Sequence, residues 1–168
     1  MKKNLLIIFA LIVSNSFSQN GLNFDKTSDF VQTTFPGILG INDITVEAWI
    51  KTTGGGDQII TAWGNESFNG GRFTFRVKQV GSNNVIRIEN KGSGLDGLIN
   101  VADSSWHHVA VTYSATTTTN KYKLYVDGTL DNQGNISQPL NIISGVNLRI
   151  GRRIHATYTD FFGGKMDE

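Results

Sequence analysis

The sequence of 168 residues contains no cysteine and only two prolines. Because no disulfide can form, a folded domain must depend on apolar burial, hydrogen bonds or a bound metal. An excess of charge of one sign is also lacking, since the sequence has 15 lysines and arginines and 14 acidic residues. Beyond the first residues the one adjacent cationic pair is Arg152-Arg153, which is far from the basic clusters of phosphate binders. The composition therefore favours neither a nucleic acid nor an anionic membrane as partner.

Long apolar runs are lacking except near the start of the chain. Two lysines are followed there by an apolar run, Leu5 to Val13, and by a small and polar stretch that ends in Ser16-Phe17-Ser18. This run is too short for the roughly 20 residues that span a bilayer. A charged start, a short apolar centre and a small-x-small motif are typical of a secretory signal peptide. We therefore predict that residues 1–18 are a signal peptide, that cleavage precedes Gln19, and that the protein is secreted or displayed on the cell surface, with no membrane span in the mature chain.

Helical periodicity is almost absent from residues 19–168, whereas several segments alternate apolar and polar residues. In GRFTFRVKQV, Phe73, Phe75 and Val77 fall on one face and polar residues on the other, which is typical of a half-buried strand. The stretches GSNN, from residue 81, and DG, from residue 127, predict tight hairpin turns, because glycine and asparagine tolerate a positive φ. With 19 glycines in its connections, the chain is predicted to be an all-β antiparallel sandwich of short strands.

Five short motifs follow one another along the chain: GLNFDKTSDFVQ, ITVEAWIKT, SWHHVAVTY with KYKLYVDG, LRIGRR and FFGGKMDE. Their order and spacing resemble LamG-like jelly-roll domains of the concanavalin A-like lectin/glucanase superfamily, from Gly21 to Glu168. The resemblance implies a two-sheet, laminin G-like jelly roll over residues 19–168. It also implies a domain that binds sugars, proteins or extracellular matrix, often holds one calcium ion, and often belongs to a larger surface protein or enzyme.

The chain differs from this family at its end. In the family, the segment that matches GGKMDE continues into a closing strand, whereas this sequence stops at Glu168. Without such a strand, its neighbour would carry unpaired backbone groups, which favour aggregation. We therefore expect the closing strand, and further domains beyond residue 168, in a longer natural protein.

The segment SSWHHVAVTY, residues 104–113, brings together the residue types of a hydrolase active site. Consecutive side chains of a strand point to opposite faces, so His107 and His108 cannot serve one metal or substrate together. We interpret the segment as a strand whose Trp106 fills the core. No Gly-x-Ser-x-Gly elbow supports a serine nucleophile. Glycosidases need two carboxylates across the scissile bond, and the glutamates here stand singly in separate segments. We predict that the domain is not an enzyme.

Two aspartates are candidate ligands for calcium. This ion is held by about six to eight oxygen ligands, mostly carboxylates and carbonyls from loops. Asp25 in NFDKTSD and Asp167 in GGKMDE belong to motifs that the resemblance brings together at the two chain ends. A calcium ion bound there would tie these ends. The alternative is that Asp25 and Asp29 form turn-stabilising hydrogen bonds and that Asp167 ends a strand.

Two predicted loops carry aromatic residues beside polar ones. Sugar rings stack on aromatic faces while their hydroxyl groups need hydrogen-bond partners, so either loop is a candidate rim of a sugar site. The predicted ligand-binding residues are Trp63, Asn65 and Arg72 of AWGNESFNGGR and Tyr158 of IHATYTDFF. The same loops also contain Phe68, His155 and Asp160. The alternative is that Trp63 caps the sandwich core.

These features predict an exported, non-catalytic recognition module that binds a carbohydrate or an extracellular glycoprotein. Two alternatives stay open. One is a structural or adhesive spacer of a cell-surface protein, and the other is an accessory domain of a secreted hydrolase. A resemblance at the level of fold does not decide between them.

Overall fold

A computed structural model describes residues 21–155, 157 and 160–167. The predicted signal peptide, residues 1–18, lies outside this described part, in which no helix is long and apolar enough to cross a membrane. The regular elements are β-strands. They are β1 Leu22–Asp25, β2 Val31–Gln32, β3 Ile44–Lys51, β4 Gln58–Gly64, β5 Arg72–Val80, β6 Asn83–Asn90, β7 Ser93–Asp96, β8 His107–Tyr113, β9 Tyr122–Val126, β10 Thr129–Gly134, β11 Val146–Ile150 and β12 Gly163–Asp167.

The strands form two sheets in which every pair of neighbours is antiparallel. The first, termed the β3 sheet, has the strand order β1-β12-β3-β8-β9-β10. The second, termed the β5 sheet, has the order β2-β11-β4-β5-β6-β7. The chain crosses repeatedly between the two sheets, for example from β3 to β4 and from β7 to β8. The predicted all-β jelly-roll sandwich is confirmed.

The inner faces of the two sheets share one apolar core. Phe73, Phe75 and Val77 of β5 are fully buried there, as their alternation predicts. Ile50 and Val109 enter the same core from the β3 sheet. The period of two in the sequence therefore selects the inward face of each strand correctly.

The outer faces of the two sheets differ. Residues of β3 alternate between buried and exposed, whereas every residue of β4 is buried. The chain that follows β11 causes this difference, because it folds back over the β5 sheet. Its Ile154 packs on Ile59 and Ala62 in a small apolar cluster separate from the main core. Residues 151–155 and 160–162 are termed the cover segment.

A glycine lets the chain turn from β11 into the cover segment. Gly151 has a φ of 83°, in the left-handed region, and a Cβ atom there would lie 2.5 Å from the ring of Phe24. Any other residue would be strained and would also clash. At the other end, Phe162 donates its N–H to the carbonyl of Gly151 at 2.9 Å. The cover segment is thus anchored at both ends.

The predicted hairpin turns are confirmed, but one core prediction is wrong. Gly81 begins the turn between β5 and β6, and Asp127 and Gly128 both have a positive φ in the turn between β9 and β10. Trp106, in contrast, is only half-buried. It precedes the first residue of β8 and therefore lies outside the ladder that carries Val109 into the core.

Strand β12 leaves part of β3 unpaired. Its residues 165–167 pair with residues 49–51 of β3. On the same side of β3, residues 44–48 have no strand partner within the described chain. An apolar slot of about 310 Å³, lined by Val46, Ile60 and Leu148 among others, opens between the sheets at this place. The closing strand expected from the sequence stays a prediction.

Candidate functional site

The two loops predicted to carry ligand-binding residues meet at one rim of the β5 sheet. Residues 64–67, 145–146 and 154–155 line a cleft of about 290 Å³, which we term the rim cleft. Its wall combines the polar side chains of Glu66 and His155 with the apolar side chain of Ile154. Small-molecule sites are typically concave and combine apolar walls with a few hydrogen-bonding groups. The rim cleft is therefore the candidate site of the β5 sheet.

Asn65 lies in the wall of the rim cleft and shapes it. Its Oδ1 accepts a hydrogen bond from the backbone N–H of Ser67 at 2.8 Å, and its Nδ2 donates to the carbonyl of Ser144 at 3.3 Å. Its backbone N–H donates to the carbonyl of Gly71 at 2.8 Å. Asn65 thus closes its own loop and joins it to the segment before β11.

Trp63 is a core residue, and its prediction as a ligand platform is wrong. The side chain is 1% exposed and stacks on Phe73, with ring centroids 4.3 Å apart. Its Nε1 donates to the carbonyl of Ile38 at 3.0 Å. Gly37 lies against the indole so closely that a Cβ atom would overlap it. No face of the ring is open to a sugar, because this position of β4 points into the sandwich.

Arg72 is also closed to a ligand, contrary to the prediction. The residue lies on the outer face of β5 but is only 3% exposed. Its Nη1 donates to Glu66 and its Nη2 donates to Glu89. Arg72 therefore acts on the rim cleft indirectly, by holding the carboxylate of Glu66 at the wall.

Arg72 belongs to an ionic network that crosses the outer face of the β5 sheet. At its centre, the carboxylate of Glu89 lies 2.7 Å from Nη2 of Arg76 and 3.0 Å from Nε of Arg87. The other members are Asp57, Glu66, Lys78, Asp96, Arg153 and Asp160. Its basic and acidic side chains are equal in number, so the network carries no formal net charge.

The electrostatics of the network keep its carboxylates ionised. Burial opposes the charge of Glu89, but the guanidinium groups of Arg76, Arg72 and Arg87 outweigh it and lower the pKa of Glu89 below its usual value. Burial also opposes the charge of Arg153, whereas Asp160, which accepts from its Nη1 at 2.9 Å, raises the pKa of Arg153.

Arg153 connects the network to the rim cleft. Its Nε lies 3.8 Å from Oε1 of Glu66, so that Glu66 stands between Arg72 and Arg153. Next along the cover segment, Nδ1 of His155 accepts the backbone N–H of Thr157 at 3.0 Å. Tyr158, the remaining predicted ligand residue, lies outside the described residues.

Asp25 forms the turn that was the alternative to calcium binding. Its Oδ1 accepts the backbone N–H groups of Thr27 and Ser28 at 2.8 Å and of Asp29 at 3.0 Å. Its Oδ2 accepts the hydroxyl groups of Thr27 and Ser28 at 2.7 and 2.8 Å. These donors, above all the Thr27 hydroxyl, hold the pKa of Asp25 well below its usual range. The carboxylate is already occupied by protein donors.

The register of β1 and β12 separates the two predicted calcium ligands. Asp25 stands opposite Gly163, and Leu22 stands opposite Met166. Asp167 therefore lies about 13 Å along the strand from the partner of Asp25, at about 3.3 Å per residue. One ion cannot contact both carboxylates, so this ligand pair is wrong. Across the described ranges, no three side chains of His, Cys, Asp or Glu are grouped to hold a metal. Calcium held by other oxygen ligands stays a prediction.

The two histidines of β8 point apart, as predicted. His107 contacts Asp127 through Nδ1 at 2.8 Å and Asp103 through Nε2 at 3.1 Å. Burial opposes the charge of His107, but Asp127 and Asp103 raise its pKa above the usual value. His108 instead lies beside Trp49, with ring centroids 5.3 Å apart. The two histidines therefore share no site, and His107 joins the loop that contains Asp103 to the turn between β9 and β10.

A larger hollow lies on the β3 sheet, and no residue in it was predicted from the sequence. It has a volume of about 480 Å³ and is lined by residues such as Thr45, Thr112, Lys123 and Tyr125. Hydroxyl groups dominate its wall, and no ion pair of the described chain holds its lysines in place. We treat this hollow as the alternative location for a ligand.

Sequence reasoning missed the residues that hold the rim cleft in shape. In the sequence, Glu66 and Glu89 stand singly in separate segments, a pattern that points to no shared role. The only hint was that Glu89 alternates with Ile88, which places it on the polar face of its strand. Its position opposite Thr74, between two arginines of β5, follows from the register of the ladder.

A family model matches most of the chain. This model, Laminin_G_3, is described as the concanavalin A-like lectin/glucanases superfamily and matches residues 25–168. No curated protein matches the sequence at a significant level.

Solved structures share the fold at low sequence identity. The CBM40 of Ruminococcus gnavus IT-sialidase bound to α2,3-sialyllactose is 16% identical, with a TM-score of 0.59 over 83% of this chain and 86% of that one. A native heptameric SAP-like pentraxin from Limulus polyphemus is 17% identical, with a TM-score of 0.62 over 87% and 72%. Domain 4 of AbnA, an extracellular arabinanase from Geobacillus stearothermophilus, in complex with arabinotriose, is 14% identical, with a TM-score of 0.55 over 79% and 60%.

Proposed function

The chain belongs to the Laminin_G_3 family of the concanavalin A-like lectin/glucanases superfamily, and from this membership we propose that it is an exported, non-catalytic carbohydrate-binding module. Two of the similar structures are complexes with sugars, one with sialyllactose and one with arabinotriose. Those ligands belong to those proteins, and the shared jelly roll supports a class of ligand rather than its identity. The signal-peptide pattern of residues 1–18 supports export.

The observation that carries the proposal is the rim cleft. A sugar ring presents several hydroxyl groups, each of which needs a hydrogen-bond partner when it leaves water. Glu66 offers carboxylate acceptors that Arg72 and Arg153 already hold in place. Because the acceptor is fixed before binding, little side-chain freedom is lost when a ligand arrives.

The carboxylates near the rim cleft support binding rather than hydrolysis. A general acid in a glycosidase must stay protonated near neutral pH, so its pKa is raised. The pKa of Glu89 is lowered instead. Glu66 and Glu89 are both paired with the same guanidinium group, that of Arg72.

The proposal is tested by glycan-array binding of the exported protein, with calcium and with a chelator. We expect binding to a defined class of glycan. Loss of that binding in the chelator would support a calcium-assisted module, and equal binding in both conditions would exclude calcium from the site. The dissociation constant is then measured for Glu66→Gln, which keeps the shape of the side chain but removes its charge. A tenfold weaker affinity, about 1.4 kcal/mol, is expected.

The matched control is Glu47→Gln on the open face of the β3 sheet, where the same change is expected to leave affinity unchanged. Unfolding curves of both variants confirm that each is folded at the temperature of the binding assay. If a folded sample binds no glycan in either condition, carbohydrate binding is refuted. The role of a spacer or a protein-adhesion domain then becomes the better account.

A further inference from the structure

Two arginines stand apart from the ionic network. The arginines with a carboxylate partner are Arg72, Arg76, Arg87 and Arg153. Within the described chain, no carboxylate oxygen lies within 4.0 Å of a side-chain nitrogen of Arg149 or Arg152, which is the limit for an ion pair. We term these two residues the arginine pair.

The arginine pair lies at the β2 edge of the outer face of the β5 sheet. Arg149 on β11 stands between Gln32 and Ala62 in the ladder. Its Nε donates to Oε1 of Gln32 at 2.6 Å and its Nη1 donates to the carbonyl of Arg153 at 3.2 Å. Arg152 follows the turn at Gly151 and opens the cover segment. Strand β11 and the cover segment thus bring two cations together beside Phe30.

Aromatic rings hold the guanidinium group of Arg152. Its Cζ lies 4.7 Å from the ring centroid of Phe30 and 5.3 Å from that of Phe161. The Cζ of Arg149 lies 5.8 Å from the ring centroid of Phe30. Cation–π contacts of this kind fix a guanidinium group without using its N–H donors. The donors at the end of the Arg152 side chain have no partner among the described residues.

The electrostatics of the arginine pair are unfavourable as they stand. Burial, and then the neighbouring charge of Arg152, lower the pKa of Arg149. Two like charges side by side oppose each other's ionisation. Elsewhere on this face every arginine is neutralised by an acid, so the missing counter-charge at this edge is a local feature. The planar fork of arginine fits carboxylate, sulfate and phosphate groups through paired hydrogen bonds.

We propose that Arg149 and Arg152 bind the anionic group of an acidic saccharide, a carboxylate or a sulfate ester carried on a sugar ring. This inference rests on the proposed function and names the class of its ligand. The ring of Phe30 is 38% exposed beside the arginine pair, so it supplies apolar surface for the sugar that bears the anion. Arg153 joins the pair to the rim cleft, since its carbonyl accepts from Arg149 and its side chain faces Glu66.

The first experiment measures the affinity of the full chain for three oligosaccharides of equal length. One carries a uronic acid, one carries a sulfate ester and one is neutral. The wild-type protein is expected to bind at least one acidic probe more tightly than the neutral one, and the two acidic arms distinguish carboxylate from sulfate. The double variant Arg149→Gln/Arg152→Gln is expected to lose at least tenfold in affinity for the acidic probe.

The matched control removes two cations from the β3 sheet, as Lys51→Gln/Lys165→Gln, and is expected to keep its affinity within about twofold. Equal affinity of the wild type for neutral and acidic probes would overturn the inference and leave carbohydrate binding intact. The inference also fails if the Arg149→Gln/Arg152→Gln variant unfolds at a lower temperature but keeps its affinity, because the arginines would then only fasten the cover segment.

A second measurement keeps the inference testable if no oligosaccharide binds and the proposed function fails. The side-chain Nε–H resonances of the arginines are followed by NMR during titration with sodium glucuronate, sodium sulfate or neutral glucose. Saturable shifts at Arg149 and Arg152 with an anion, absent with glucose, would support the site on its own. Equal small shifts at every arginine indicate only general charge screening and would overturn it.

Discussion

Strands β3 and β5 both alternate apolar and polar residues, but the outer faces of their two sheets have opposite environments. On the β3 sheet, Trp49 is 40% exposed, and the carboxylate side chain of Glu47 is 59% exposed at 3.6 Å from His108. On the β5 sheet, Arg76 is 6% exposed and Glu89 is 9% exposed, although both lie on the polar face of their strands. One face is open to water, and the other is closed over paired charges.

The cover segment contributes to this difference, because its Arg153 lies 3.9 Å from Glu89 and pairs with Asp160 of the same segment. Charged side chains are seldom fully buried unless they are paired. The β5 sheet meets this condition because Glu89 faces guanidinium groups from its own strand and from β5. Burial makes these pairs far less sensitive to solvent screening than the pairs of the open face. The closed face therefore holds its polar groups in fixed positions, which suits the proposed binding rim.

The largest effect is expected for Glu89→Gln. This change leaves Arg72, Arg76 and Arg87 without their common anion in a buried setting. Removal of one partner from a buried ion pair typically costs about 3–5 kcal/mol. Urea unfolding at neutral pH measures the loss of free energy of unfolding. Glu47→Gln on the open face is expected to cost less than about 0.5 kcal/mol.

The same pair of variants has a defined pH dependence. Because the pKa of Glu89 is lowered in the folded state, its contribution to stability is present above its unfolded value near 4.5 and is lost as the pH falls through the folded pKa. The difference between wild type and Glu89→Gln should therefore shrink in acid. Equal losses for Glu47→Gln and Glu89→Gln at neutral pH would contradict the comparison of the two faces.

The second largest effect is expected for Ile154→Ala in the cover segment. Ile154 is 5% exposed and packs on Ile59 and Ala62, so truncation leaves a cavity above β4. Such a change typically costs about 2–4 kcal/mol. Ile41→Ala, at a residue that is 56% exposed, serves as the control and should cost less than about 0.5 kcal/mol. Because Ile154 also lines the rim cleft, glycan affinity should fall with Ile154→Ala and not with the control.

The closed face also shows which structural features the sequence predicts and which it does not. Alternation in β5 identified Phe73 and Phe75 as inward residues, because that pattern is local to one strand. It assigned Arg72 to an open polar face for the same local reason. The burial of Arg72 depends on partners outside its own strand, namely Glu66 in the loop after β4 and Glu89 on β6. Likewise, the resemblance placed Asp25 and Asp167 together, but their separation follows from the antiparallel register of β1 and β12.

A smaller effect is expected on the β3 sheet for His107→Gln. Asp127 and Asp103 raise the pKa of His107, so the stability that its charge contributes is fully present below its usual value near 6.5. It is lost as the pH rises through the raised pKa. The difference in free energy of unfolding between wild type and His107→Gln should therefore be larger at about pH 5.5 than at about pH 9. We expect less than about 1 kcal/mol, since both aspartates are half exposed. If Asp127→Asn leaves this pH dependence intact, the contact between His107 and Asp127 is not its cause.

A similarly small effect on stability is expected for Trp49→Ala, and this variant tests the comparison most directly. The indole contacts His108 at a ring distance of 5.3 Å and is 40% exposed on the outer face of the β3 sheet. Its loss should change the free energy of unfolding by about 1 kcal/mol or less. If the closed face carries the ligand, Trp49→Ala binds glycans with the affinity of the wild type, whereas Glu66→Gln binds them more weakly. The opposite result, a loss of binding in Trp49→Ala with Glu66→Gln unaffected, would move the site to the open face. There the exposed tryptophan, rather than carboxylates held by arginines, would be the group that recognises the sugar.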